Sequence, residues 1–127
     1  MRICVDLDGV ISNLRKGNEG YEDLEPKVDA VEKLRTLKNN GHYIIIYTAR
    51  NMKTCNGNIG QVISNIGSIT LDWLKKHKVP YDEVIFGKPW ADIYIDDNGF
   101  RFSDWNSISG DGSNLPMSNE MLNKEKN

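Results

Sequence analysis

Apolar residues recur along this chain with helical spacing in some stretches and as short unbroken runs in others, and the changes between the two mark out its elements. Ile3 to Leu7 is an apolar run carrying one carboxylate, Asp6, with Gly9 close behind, which predicts a buried strand entering a turn. Over Pro26 to Asn40 the positions Ala30, Val31, Leu34 and Leu37 fall on a helical period, with Pro26 suited to the first turn and Gly41 to the position past the end. His42 to Tyr47 is apolar without alternation, the pattern of a strand covered by helices on both faces. A polar loop, Asn51 to Gly60, leads into a second helix in which Val62, Ile66, Ile69 and Trp73 share a face. Lys75, Lys76 and His77 close its last turn, where positive charge suits the helix dipole, and Pro80 prevents continuation. Glu83 to Phe86 reads as a third strand and Ile93 to Ile95 as a fourth, stopping at Asp96 and Asp97.

Strand, helix, strand, helix, strand, strand predicts an α/β fold, three-layer and Rossmann-like, with a mainly parallel sheet and right-handed crossovers. This core spans residues 1–102. Residues 103–127 are rich in Ser, Asn, Gly and charge and predict a polar C-terminal tail, partly disordered, which Trp105 and Leu115 could pin to the body.

At 127 residues the chain is one domain with a short appendage. Its 16 basic and 18 acidic residues leave a charge of −2, so no general basic field exists to hold nucleic acid or an anionic membrane. Two cysteines, Cys4 in an apolar run and Cys55 in a polar loop, are too few for a disulfide scaffold, and we read them as reduced thiols of a cytoplasmic protein. The apolar stretch Tyr43 to Tyr47 is far shorter than the roughly 20 residues that span a bilayer, and no signal peptide is evident.

In open parallel sheets the ligand sits beyond the carboxyl ends of the strands. Here those ends carry Asp6-Leu7-Asp8-Gly9, Thr48-Ala49-Arg50, Gly87-Lys88-Pro89 and Asp96-Asp97. Four carboxylates in one crevice repel one another unless a hard divalent cation sits among them, which favours Mg²⁺. A lysine and a hydroxyl beside such an ion are what a transferring phosphoryl group needs. Two carboxylates one residue apart can divide the labour, one attacking phosphorus and the other protonating the leaving oxygen and later activating water.

Val5-Asp6-Leu7-Asp8-Gly9-Val10, Thr48-Ala49-Arg50, Gly87-Lys88-Pro89 and Ile95-Asp96-Asp97, in that order, resemble the four motifs of the haloacid dehalogenase (HAD) superfamily of phosphatases. Within it the chain resembles small HAD-like proteins found with capsular and surface polysaccharide biosynthesis genes. The resemblance implies that Asp6 is the nucleophile forming an aspartyl-phosphate, Asp8 the general acid and base, Thr48 a donor to the phosphoryl oxygens and Lys88 a counter-charge. It implies Mg²⁺ held by Asp6, Asp8 (through its carbonyl) and Asp96, with Asp97 as a ligand or just behind.

Two features depart from the commoner pattern. Lys88 lies only eight residues before Asp96, and neither Arg15 to Glu25 nor Arg50 to Asp82 has room for a cap domain. The site is therefore expected to be open unless a partner subunit, as in a homo-oligomer, covers it. Candidate substrate contacts are Arg15 in the flap Asn13 to Tyr21, Arg50 after the threonine, which a structural salt bridge explains equally well, and Lys53 and Asn56 in the following loop. Trp90 packs or stacks on a ring. The expected substrate is a small phosphorylated metabolite: a sugar, polyol or nucleotide-linked intermediate of surface polysaccharide synthesis. Competing readings are a nucleic-acid end phosphatase, disfavoured by the acidic balance, a receiver-like phospho-binding domain, disfavoured by the order of the acidic motifs, and a binding protein that has lost catalysis.

Overall fold

The architecture comes from a computed structural model, which describes residues 1–126. Strands β1 (Arg2–Asp6), β2 (Tyr43–Thr48) and β3 (Glu83–Phe86) form one parallel sheet in the order β1-β2-β3. Asp6 lies level with Tyr47, and Thr48 with Phe86, so all three carboxyl ends finish along one edge. Helix α1 (Ala30–Asn39) connects β1 to β2, α2 (Ile59–Lys76) connects β2 to β3, and α3 (Asn119–Lys126) comes last. This is the small Rossmann-like α/β domain that the alternation of periods predicts.

Both crossovers step the same way along the sheet, and right-handed connections then place both helices on one face. Ile44 and Ile46 are wholly buried on that face with Val5, Leu34, Leu37, Trp73 and Leu74. Tyr43, Ile45 and Tyr47, which point the other way, are only half-buried, while Cys4 and Ile85 on that second face are exposed. The unbroken apolar run of β2 thus finds helix cover on one side only, and Cys4 lies outside the core.

Helix α1 begins later than Pro26 because Pro26 is bridged to Ser12, and Asp29, in the left-handed region at φ 66°, precedes the first turn. Asn58 caps α2, its side chain accepting from the Gln61 N–H at 3.2 Å. Val62, Ile66 and Trp73 are buried along α2 as expected, whereas Ile69 reaches solvent.

One expectation fails near the end of the chain. Ile93 to Ile95 forms no strand: no backbone–backbone hydrogen bond involves any of residues 89–103, and Ile93 and Ile95 are exposed. A parallel neighbour needs a crossover of about a dozen residues, and only 87–92 separate β3 from Ile93. Beyond it, Trp105 and Leu115 pin the polar segment to the core, as the sequence allows. Trp105 and Ile108 are buried in the main cluster, the Trp105 indole N–H donates to the Val10 carbonyl at 2.7 Å, and the Lys33 ammonium donates to the Ile108 carbonyl.

Candidate active site

Asp6 ends β1 and Asp8 stands two residues further, on either side of wholly buried Leu7. The Leu7 N–H extends the ladder to the Tyr47 carbonyl at 3.1 Å, and its own carbonyl accepts from Ile11 and Ser12, both at 2.9 Å. Gly9, at φ 86°, lets the chain reverse immediately after Asp8. The two carboxylates are therefore fixed at the tip of a turn that the core anchors.

At the next strand end Gly87, at φ 103°, allows two successive N–H groups, its own and that of Lys88, to donate to the Thr48 carbonyl at 3.2 and 3.1 Å. That turn aims Lys88 back along the sheet, where its ammonium lies 3.5 Å from Asp6 Oδ2 and 4.2 Å from the centre of the Tyr94 ring. Burial pushes the Asp6 carboxyl above its ordinary pKa. Lys88 opposes that rise by charge and hydrogen bonding, and neighbouring Asp8 adds to it.

Asp8 is held by Arg50, whose side chain is 0% exposed. Arg50 Nε donates to Oδ1 and Oδ2 of Asp8 at 3.1 and 3.0 Å, and Nη2 donates to Oδ1 at 2.9 Å. Nη1 donates to the Thr70 hydroxyl at 3.2 Å, and the guanidinium lies over the Tyr21 ring at 4.2 Å. Thr48 is also buried; its hydroxyl accepts from the Arg50 backbone N–H at 3.1 Å and donates to Asp8 Oδ2 at 3.5 Å. Of the two roles open to Arg50, substrate contact or structural salt bridge, its burial and its fork on Asp8 give the second.

The other substrate candidates lie around the rim. Arg15 stacks over Tyr21 from the solvent side at 4.5 Å, beside the same ring that Arg50 uses. Lys53 sits over the Trp90 ring at 4.8 Å, and with Met52, Asn56, Gly57 and Pro89 this pair lines a groove of about 410 Å³ that adjoins Lys88 in sequence. Tyr21, Thr70 and Tyr94 are contacts that sequence reasoning missed. Only Thr70 leaves a signal, as a hydroxyl in the apolar stripe between Ile66 and Trp73.

Asp96 and Asp97 do not join Asp6 and Asp8. Both are exposed; Asp96 accepts from the Asn98 N–H at 2.8 Å, and Asp97 accepts from the Asn119 amide at 2.5 Å. Among the described residues no three acidic, histidine or cysteine side chains are grouped to hold a metal ion. With Asp96 and Asp97 away from Asp6, the residues as arranged in one chain do not fit the expected Mg²⁺ site.

No protein-family model and no curated protein matches the chain. A solved structural-genomics target from Vibrio cholerae does, with 37% identity, a TM-score of 0.76, and coverage of 99% of this chain and 98% of that one. The chain belongs to the same family as that Vibrio cholerae protein. Two further likenesses concern the fold. A chain of the Pnkp1/Rnl/Hen1 complex matches 76% of this chain with 30% of its own length, at 22% identity and a TM-score of 0.51. A chain of the Pnkp1/Rnl/Hen1 RNA repair complex matches at 20% identity and a TM-score of 0.50, over 28% of its own length. Among the described residues no helix is long and apolar enough to cross a membrane.

Proposed function

We propose that the chain is a phosphomonoester hydrolase of the HAD type, working through an aspartyl-phosphate on Asp6. One observation carries the reading: a strand-end carboxylate, Asp6, has a lysine ammonium 3.5 Å away and a second carboxylate, Asp8, two residues on and rigidly held. In this reading an Asp6 oxygen attacks phosphorus, the bond from phosphorus to the ester oxygen breaks, and Asp8 gives its proton to the leaving alkoxide. Asp8 then takes a proton from water as that water attacks the aspartyl-phosphate, and the bond from phosphorus to the Asp6 oxygen breaks, releasing inorganic phosphate. Lys88 offsets the phosphoryl charge throughout.

Mg²⁺ dependence belongs to the proposal, although the carboxylates expected to hold the ion are not assembled within one chain. The substrate class we favour is a phosphorylated sugar, polyol or nucleotide-linked intermediate, as in surface polysaccharide synthesis. The groove lined by Lys53 and Trp90 offers an ammonium and an aromatic ring, and its Pro89 directly follows Lys88. A nucleic-acid end phosphatase is the second reading, favoured by the fold shared with a chain of an RNA repair complex.

The test is phosphate release from sugar, polyol, nucleotide and oligonucleotide phosphates, with Mg²⁺ and with EDTA, beside Asp6→Asn. Release from one class that EDTA and Asp6→Asn both abolish supports the reading and names the substrate. Activity that survives in Asp6→Asn would overturn the assignment of the nucleophile.

A further inference from the structure

Two parts of the molecule lack partners that each could give the other. The outer edge of β1 has no neighbouring strand among the described residues, because β1 pairs with β2 alone. Beside that edge the uncovered sheet face shows Cys4 to solvent. The segment Ile93-Tyr94-Ile95 has strand-forming residues, no backbone–backbone hydrogen bond, and an Ile95 that is 93% exposed. Unpaired backbone and exposed large apolar side chains together mark a surface that a partner covers.

In the parallel register that brings Asp96 level with Asp6, the segment's own β1 is out of reach. The Gly87 and Lys88 N–H groups both bind the Thr48 carbonyl, so the chain is held at the end of β2 until Lys88. The five steps from Lys88 to Ile93 span at most about 17 Å when fully extended. A place beside Ile3, which would bring Asp96 level with Asp6, lies two strand spacings aside and four residues below Thr48, about 16 Å in a straight line through the sheet. Nothing remains for passing over the side chains of β1 and β2. Short, taut hinges of this kind favour exchange of the element with a second copy.

We propose that two copies of this chain exchange their Ile93–Ile95 segments, each pairing in parallel with the outer edge of the other's β1 and delivering Asp96 and Asp97 beside the other's Asp6 and Asp8. The occupant is a second copy because an identical segment is freed on each chain at the same time, and a two-fold exchange satisfies both edges. The exchange gives up two contacts that fold the segment back, Lys88 over the Tyr94 ring and the Tyr94 hydroxyl on the Pro89 carbonyl. It gains a backbone ladder and cover for Ile93 and Ile95, which share a face of the paired strand. That Asp96 would complete a metal-binding site rests on the phosphatase reading; the pairing itself does not.

The proposed register sets Tyr94 of one copy beside Cys4 of the other. In a Cys55→Ser background, Tyr94→Cys should form a covalent dimer under mild oxidation, seen on a non-reducing gel, while Cys55→Ser alone stays uncrosslinked. An intrachain crosslink, or none, would overturn the exchange. Ile95→Pro, at an exposed position with no backbone bond to lose, should keep the circular dichroism of the parent and convert a dimer to a monomer by light scattering. A monomeric parent would overturn the proposal outright.

For the shared site, Asp6→Asn and Asp96→Asn chains, each inactive alone, should regain about one quarter of parental activity when co-refolded, since half the dimers are mixed and each has one intact site. No recovery from an active parent would show that Asp96 acts within its own chain or not at all. If the parent hydrolyses nothing while the crosslink forms, the phosphatase reading fails and the exchange stands.

Discussion

Arg50 and Asp8 form a two-toothed ion pair in which the guanidinium is wholly buried and its remaining nitrogen reaches the Thr70 hydroxyl on α2. The pair ties the β1 turn to the end of β2 and to the helix after it. Arg50 is therefore a positioning residue for Asp8. Removing one member of a buried pair costs about 3–5 kcal/mol, and partial exposure of Asp8 places Arg50→Met at the lower end, about 3 kcal/mol. Urea unfolding measures the stability loss. In turnover, kcat should fall with KM nearly unchanged; a raised KM at parental stability would make Arg50 a substrate contact after all. Arg50→Lys should rescue little, because an ammonium cannot span both Asp8 oxygens and Thr70.

Lys88 governs the acid side of the proposed reaction. Burial raises the Asp6 carboxyl, and Lys88 is the neighbour that pulls it back toward its ordinary value. Asp6 attacks as the carboxylate, so activity should rise with pH as Asp6 ionises. In Lys88→Met the opposing charge is gone, Asp6 keeps its proton to higher pH, and the acidic limb of kcat/KM should move upward as the plateau falls. A pH–rate profile of both proteins measures this, and an unmoved limb would mean that Lys88 does not act on Asp6.

What the sequence made legible divides by range. Glu83 to Phe86 was readable because strand residues follow Pro80 and end at a glycine, all local signals. Asp6, Asp8, Thr48 and Lys88 were readable together because a parallel sheet puts every strand end on one edge, so order in the sequence becomes proximity in space. Arg50 was readable beside them, but its choice between substrate and a structural salt bridge was not, since sequence does not show whether a strand-end arginine points to solvent or inward to the Thr70 hydroxyl on α2. Ile93 to Ile95 has strand composition, but pairing depends on the length of connection to an edge, which composition does not contain. Trp105 was noted as a residue able to pin the tail, and its partner, the Val10 carbonyl, lies 95 positions away.

Asp82 links stability to acid. It accepts from Lys38 at 2.6 Å and from the Ile44 N–H at 2.7 Å, and these two bonds, that of Lys38 foremost, hold its carboxyl below the ordinary value of 3.8. A carboxyl lowered by folding stabilises fully above its unfolded pKa and loses that contribution as pH falls through the folded one. Asp82→Asn should therefore unfold at lower urea than the parent at pH 7, with the gap closing below about pH 4. Urea midpoints across pH 2.5–7 read this directly, in steps of about half a unit. A gap that persisted at the acid end would place the effect in packing, not in the charge.

Trp105 tests whether residues past 102 belong to the domain. The indole is buried against the main cluster, tilted on Phe102 with ring centres 5.4 Å apart, and its N–H satisfies the Val10 carbonyl in the turn that follows Asp8. Trp105→Ala removes that packing, leaves a cavity and orphans a carbonyl, for a loss of about 3–5 kcal/mol. Because Val10 stands two residues from Asp8, turnover should fall even at temperatures where the variant remains folded. A chain ending at residue 102 should then fail to give a cooperative thermal transition. If that shorter chain melted like the parent, the C-terminal segment would be an appendage and the burial of Trp105 would contribute nothing to the core.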